Sequence, residues 1–561
     1  MKKINRIAIA TFATALATSQ LTSCFNLKED VYSEIAQESF TPAKQDIASI
    51  ICSAYGDLAF FFDWQGLFDA MEEPADVVIT PVRPNGWDDG GTYQRMHKHT
   101  WDAEQWQPWN VYETCFRGIN TTNRVLGQIE SNSLPLGDEK EVTIAELKAL
   151  RALWYSIVLD SHGNVPIVEK FSDEIPQYKT RAEVYKFVTS ELTSVIESGL
   201  LSKEKDASTY TRINHWAAEM TLMRVYLNAE VYVGEKCYDK ALALAEDIIN
   251  NSPYTLAADF NDNFKVALDH TNPEVIFAIP YDSKLQPGGH VFSQNAKWYP
   301  PVSKAYFNWK YQCWGGSCAN PQFVNSYQPG DKRKEKTWMY GPCVADNSIV
   351  WTNLNYLPSL TCAKNGQSLT CIDFGVRQIK YEPDTETTFN WANDFPYYRL
   401  SEAYLTKAEC LLRLGQREAD AVSAVNAVRR RVAPDITAAD LKGNTKMVYG
   451  LVPWGGLTKE MWDECNATHD WSKYVEMLEA SQRPTPSGQD ASVVYLGGMY
   501  DEWGWEFALE GLRRQQMIRF GTFSSKNWFN HEAITDGHTA IFPIPKDVLN
   551  ANANLRQNPG Y

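Results

Sequence analysis

Apolar residues recur every three or four positions along two separate stretches of this chain, and that rhythm limits the fold more than any other feature. Ile144, Leu147, Leu150, Leu153, Trp154, Ile157 and Val158 line one face of a helix that ends at Gly163, ahead of Pro166. A second helix is predicted around 181–200 from Val184, Phe187, Val188, Leu192, Val195 and Ile196. A third runs over Ile213–Val233 and a fourth over Tyr238–Ile249. The pattern resumes at 396–414 and 417–432, joined at Gly415. Earlier helices are expected over Ile35–Phe62 and Trp106–Ile129.

Neighbouring helices have the format of a tetratricopeptide hairpin: two amphipathic helices, small residues at close-packing positions and a tight turn. One hairpin cannot bury its apolar faces alone, so hairpins stack. The period of about 34 residues typical of such repeats is not kept, so these repeats are degenerate. The expected fold class is mainly α, a tetratricopeptide-like helical-hairpin scaffold with a long irregular, loop-rich insert.

The insert is residues 281–394, where helical periodicity gives way to Gly, Pro, Asn and Asp. It holds six of the nineteen Trp and five of the eleven Cys. A long irregular segment inside a regular scaffold is where binding residues are expected. Cys313 and Cys318 are close enough in sequence to bridge locally, and Cys343, Cys362 and Cys371 follow. Spacing leaves the pairing open, free buried thiols included.

The N-terminus reads as an export signal over residues 1–23. Lys2, Lys3 and Arg6 precede the apolar run Ile7–Ala17, which is shorter than the roughly 20 residues needed to span a bilayer. The segment ends in Leu21-Thr22-Ser23-Cys24, which resembles the bacterial lipobox, so Cys24 is the expected lipidation site. Two or more acyl chains make such an anchor stable. The other ten cysteines would then enter an oxidising compartment.

Lys and Arg number 53 against 69 Asp and Glu, a formal charge of −16. That balance argues against phosphate-driven nucleic-acid binding and against electrostatic adhesion to anionic lipid. H-E-x-x-H, G-x-S-x-G, G-x-G-x-x-G and P-loop motifs are all missing from the sequence. His97 and His99 have the spacing of one strand face but no third ligand in view, so neither metal nor cofactor is expected. A pair of glycosidase carboxylates can be neither picked out nor dismissed among so many acids.

Six collinear segments resemble the SusD/RagB-type lipoproteins. They are RGINTTNRVL (117–126), KALRALWYSIVLDSHGNVPIV (148–168), YYRLSEAYLTKAECLLRLG (397–415), AVNAVRRRV (424–432), WEFALEGLRRQQMIRFG (505–521) and FPIPKDVLNANANLRQNPGY (542–561). Met517 and its neighbours depart from the family pattern. The resemblance implies one domain over 24–561, with 24–280 and 395–561 as scaffold and 281–394 as ligand-binding insert. It implies a non-enzymatic lipoprotein on the outer face of the outer membrane, for which Glu29-Asp30 resembles the surface-sorting signal. Such proteins bind oligo- or polysaccharide and cap a SusC-like TonB-dependent transporter. A RagB-like peptide-binding lid and a secreted glycoside hydrolase are the alternatives. Arg399, Glu402, Glu409, Arg429, Glu510 and Arg513 are expected to be structural, and the tail Gln557–Tyr561 to pack on the scaffold.

A sugar presents an apolar C–H face and an edge of hydroxyls, so its site needs flat aromatics beside planar or charged hydrogen-bonding groups. Two loops offer both. DVVITPVRPNGWDDGGTY (76–93) carries Arg83, Asn85, Trp87 and Asp88, either as a ligand loop or as a turn with Trp87 packed inward. WYPPVSKAYFNWKYQCWGG (298–316) carries Trp298, Tyr299, Tyr306, Trp309, Tyr311 and Trp314. The expected glycan contacts are Arg83, Asn85, Trp87, Asp88, Trp298, Tyr299, Trp309 and Trp314.

Overall fold

A computed structural model describes residues 43–282, 284, 296–339, 343–346, 348–351, 353, 357, 360, 375–386, 391–433, 440–450, 467–468 and 493–561. The predicted leader, Cys24 and Glu29-Asp30 lie outside these residues. Two compact units are distinguished, Met1–Ala48 and Ser49–Tyr561. Of the first, only residues 43–48 are described.

The frame of the second unit is a ladder of helices: α1 (Trp106–Glu130), α2 (Lys140–Ser161), α3 (Arg181–Ser198), α4 (His215–Leu227), α5 (Tyr238–Asn251), α6 (Leu400–Arg413) and α7 (Glu418–Arg429). Each packs on the next. The boundaries have local causes. α3 opens with a capping box, in which the Thr180 side chain accepts from the Glu183 N–H and the Glu183 carboxylate accepts from the Thr180 N–H. It closes at Gly199, whose φ of 66° ends the helix in the left-handed conformation. Val184, Val188, Leu192 and Val195 point inward, as their spacing predicts.

α5 and α6 touch although 148 residues separate their ends, so the stack runs on across the insert. The seam is a two-stranded antiparallel sheet, β2 (Val275–Ile279) with β4 (Phe395–Arg399). It brings together the points where the chain leaves and re-enters the scaffold. This corrects the predicted helix start at 396: residues 395–399 are strand, and the helix begins at Leu400. The reading of Ile35–Phe62 as one helix is also revised. Within the described residues there is a helix Lys44–Ser53 and then a 3-10 turn, Gly56–Phe62.

Two further helices, α8 (Gly497–Phe507) and α9 (Arg513–Arg519), cover the seam with a buried ionic network. Arg399 donates to Glu274 (2.8 Å), Glu506 (3.1 Å) and Glu510 (2.7 Å). Arg431 pairs with Glu274 and Glu506, and Arg429 with Glu502. Lys380 reaches out from the insert to Glu510 at 2.6 Å. Glu402 meets Arg224 of α4, and Glu409 meets Arg519 of α9. The motif residues thus hold the scaffold together. The tail does so as well: Asn558 donates to the His162 and Phe542 carbonyls, and the Tyr561 hydroxyl accepts from the Trp101 indole.

Candidate functional site

A short antiparallel pairing builds the site. β1 (Val78–Ile79) lies against β3 (Cys318–Ala319), so the loop leaving β1 and the loop entering β3 emerge side by side. The strands are anchored from below. The Asp76 carboxylate accepts from Arg513 at 2.7 Å, and from the Tyr449 and Tyr500 hydroxyls. The two loops predicted separately from sequence are therefore neighbours.

The first loop reverses between Arg83 and Gly86, whose backbones exchange N–H···O bonds of 2.9 and 3.0 Å. It then runs through positive φ at Gly86 (132°), Trp87 (68°), Asp89 (37°), Gly90 (63°) and Gly91 (81°). A bulky residue such as Trp87 rarely adopts that region, and surrounding contacts must hold it there. Its ring is buried against Tyr93 and Ala296 and lies flat on Gly316: a Cβ added at Gly316 would fall 2.4 Å from the indole. Its Nε1 donates to the Trp314 carbonyl at 3.1 Å, and Asn85 Nδ2 donates to the same oxygen at 2.7 Å.

The second loop is held from both sides. The Trp314 and Gly315 N–H groups donate to the Ala296 carbonyl. Gly315 adopts φ 65° with Pro300 close enough to forbid a side chain. Arg83 Nε reaches the Gly316 carbonyl at 2.7 Å. Beneath, Lys297 is buried between Asp69 (2.7 Å) and Glu73 (2.5 Å), with its ammonium 4.4 Å from the Tyr93 ring centroid. Burial opposes the Lys297 charge, yet the two carboxylates hold its pKa above the ordinary lysine value.

Of the eight predicted contacts, Asn85, Asp88 and Trp314 are exposed, and Asn85 and Trp314 meet on one shelf with Asp88 three residues on from Asn85; Trp314 is 48% exposed. The other five need correction. Arg83 is buried and braces the second loop through its backbone. Trp87 takes the inward of its two readings. Trp298, Tyr299 and Trp309 are also interior, with their ring faces turned to protein. Trp298 packs on Trp338, and Tyr299 on Trp309 and Trp391. The reason is physical: a loop with little regular hydrogen bonding must bury side chains of its own to hold a shape. Tyr311, half-buried, lies parallel to Trp309 at 5.8 Å and accepts from the Trp391 indole. Tyr306 stays exposed on the same loop.

Asp89 sits beside Asp88, and partial burial together with that neighbour pushes its carboxyl up. His97 and His99 each meet a backbone carbonyl, of Phe529 and Pro74, at 2.6 Å. Burial lowers them to about 4 and about 3, so both are neutral packing groups at pH 7. Of the two outcomes the spacing left open for Cys313 and Cys318, both are buried thiols and not a local bridge. On the scaffold, His215, Glu219 and Asp247 gather with metal-compatible spacing.

Sequence reading missed Trp64 (45% exposed) and Trp106 (55% exposed), whose rings stand 6.3 Å apart. A signal was present. Trp106 lies roughly 120–160° round α1 from the stripe of Tyr112, Ile119 and Leu126, so it was never on the buried face.

A family model described as "SusD family" matches residues 273–561, and one described as "Starch-binding associating with outer membrane" matches 30–227. The chain is 23% identical over 536 residues to the starch-binding protein SusD of Bacteroides thetaiotaomicron, covering 88% of this chain and 85% of that protein. Among solved structures, a surface glycan-binding protein A from Bacteroides thetaiotaomicron in complex with laminarihexaose superposes with a TM-score of 0.65. It is 19% identical and the match covers 92% of this chain and 99% of that one. NanU of B. fragilis matches with a TM-score of 0.65 and 18% identity, covering 95% and 99%.

Proposed function

This chain belongs to the SusD family, and from that premise we propose that it is a cell-surface glycan-binding lipoprotein that captures oligo- or polysaccharide and delivers it to a SusC-like TonB-dependent transporter. The observation that carries this reading is the convergence of two loops distant in sequence on one shelf, where exposed Trp314 meets the Asn85 amide and the loop of Asn85 also carries the exposed Asp88. The aromatic covers the C–H face of a sugar and the polar groups address its hydroxyls. Stacking on one ring is worth about 1–3 kcal/mol by analogy with base stacking. That suits capture followed by release to a partner.

The names of the relatives support a carbohydrate ligand, and that of the second family model supports association with the outer membrane. Residues 1–23 serve as the signal peptide and Cys24 carries the lipid; 24–561 act as one SusD-like domain with 281–394 as its binding insert. Among the described residues no helix is long and apolar enough to cross a membrane. The protein acts by binding and not by catalysis.

The test is to run the chain from Phe25 onward in native gels containing laminarin, soluble starch or other neutral polysaccharides, and to assay the same mixtures for new reducing ends. Retardation without new ends is expected. Retardation by none, with peptides co-purifying, would move the cargo to peptide; new reducing ends would make it a hydrolase.

A further inference from the structure

A groove of about 630 Å³ contains none of the shelf residues. Three segments far apart in sequence form it: the turn bearing Trp64 and Gln65, the first turn of α1 with Trp106 and Trp109, and the short helix Lys546–Ala551. The volume falls within the range of small-molecule sites. Trp64 and Trp106 stand nearly perpendicular, at 85°. Among the described residues few large apolar side chains are more exposed than Trp106, and adjacent exposed indoles are costly to leave in water without a function.

Two of the groove's three indoles are held by their edges, and the Trp106 ring stands against one of them. Trp64 Nε1 donates to the Tyr93 hydroxyl at 2.6 Å, and Trp109 Nε1 donates to the Asp547 carboxylate at 2.9 Å. Asn110 Nδ2 holds the Gln65 carbonyl at 2.9 Å, which fixes the Trp64 turn on α1. Edges fixed by hydrogen bonds leave the exposed ring faces oriented before any ligand arrives, so little ordering is left to be done on binding. The rim is polar, with Asn550, Asp547 and a Lys546–Glu104 pair at 2.6 Å. Aromatic faces inside a hydroxyl-compatible rim match a sugar better than a lipid or an apolar helix.

The groove also connects to the shelf through direct contacts. Trp64 bonds to Tyr93, Tyr93 packs on Trp87 with centroids 5.9 Å apart, and Trp87 bonds to the Trp314 backbone. We propose that Trp64 and Trp106 form a second carbohydrate-stacking subsite, tied to the Trp314 shelf by this interior line of contacts, so that the protein selects glycan chains long enough to reach both. This rests on the glycan reading above. Two weak subsites on one chain multiply through effective concentration, whereas a short sugar occupies only one of them.

The experiment compares wild type, Trp106→Ala and Trp314→Ala, each from Phe25 onward. The probes are the polysaccharides that wild type retains among laminarin, soluble starch and other neutral glucans, plus the di- and hexasaccharides cut from them, measured by calorimetry. Trp106→Ala is expected to weaken hexasaccharide and polymer binding about tenfold and leave disaccharide affinity unchanged. Trp314→Ala should weaken both. Trp106→Tyr should restore most of the loss, and thermal melting should be the same in all. Unchanged polymer binding in Trp106→Ala, with a Trp314→Ala defect intact, overturns the second subsite and leaves the first. Equal loss of disaccharide and polymer in Trp106→Ala also overturns it. If wild type retains none of the polymers, this inference falls together with the glycan reading.

Discussion

The ionic seam and the aromatic shelf are built on opposite terms. At the seam, Arg399, Arg431 and Lys380 are fully or almost fully buried among Glu274, Glu506 and Glu510, each charge matched by another. Removing several charges from water is expensive, and their attraction repays it only while the geometry and every partner are kept. At the shelf, Trp314 is exposed and its backbone is pinned by Asn85, Trp87 and Ala296. A change at the seam should therefore be felt as stability, and a change at the shelf as binding.

The largest effect tests the seam. Arg399→Ala takes one buried partner from each of Glu274, Glu506 and Glu510, with only Arg431 and Lys380 of the seam's cations left to answer them, and should destabilise the fold by about 3–5 kcal/mol, read as a shift in the urea midpoint. A loss under 1 kcal/mol would mean the network is not the clasp described here.

The pH dependence sharpens the same point. Burial opposes the Glu506 charge, but Arg431, Arg399 and Arg333 outweigh it and hold the carboxyl down to about 2. A carboxyl with a depressed folded value stabilises the fold above its unfolded value near 4.5 and loses that contribution as the pH falls toward 2. Asp501 is the reverse case. Burial raises it to about 7, so its contribution is most favourable in acid and is lost as the pH climbs through 7. In urea titrations, Glu506→Gln should flatten the loss of stability between pH 4.5 and 2. Asp501→Asn should flatten the decline between pH 4 and 7.

A third change reaches the shelf through its packing. In Gly316→Ala the new Cβ would meet the Trp87 indole at 2.4 Å and push it off the Trp314 backbone. Overpacking of this kind costs about 1–3 kcal/mol. The expectation is a modest drop in melting temperature together with weaker retention in polysaccharide gels, the one case where both readouts move. The smallest effect belongs to Asn85→Ala, which removes one exposed amide and should weaken binding a few-fold at constant melting temperature.

The contrast also explains what could be read from sequence. Helices α1 to α7 were legible because burial of a regular element repeats, and repetition leaves a pattern. The charged motif residues were legible as structural because a buried ion pair tolerates few substitutes. The start of α6 was misread because pairing with Val275–Ile279, distant in sequence, turns 395–399 into strand. The two loops were correctly singled out, yet which of their aromatics face solvent was not legible. Trp309 and Trp314 lie five residues apart in similar company. Trp309 is buried by Tyr299 and Trp391, whereas Trp314, whose carbonyl accepts from the Trp87 indole, stays exposed. Both outcomes depend on contacts that no local pattern encodes.

That pair supplies the most direct measurement: affinity electrophoresis in the retained polysaccharide and thermal melting of Trp314→Ala and Trp309→Ala, run side by side. Trp314→Ala should migrate almost as it does without polysaccharide and melt with wild type, while Trp309→Ala should melt well below both. Full retention of Trp314→Ala, folded and unshifted, would contradict the claim that this shelf holds the glycan.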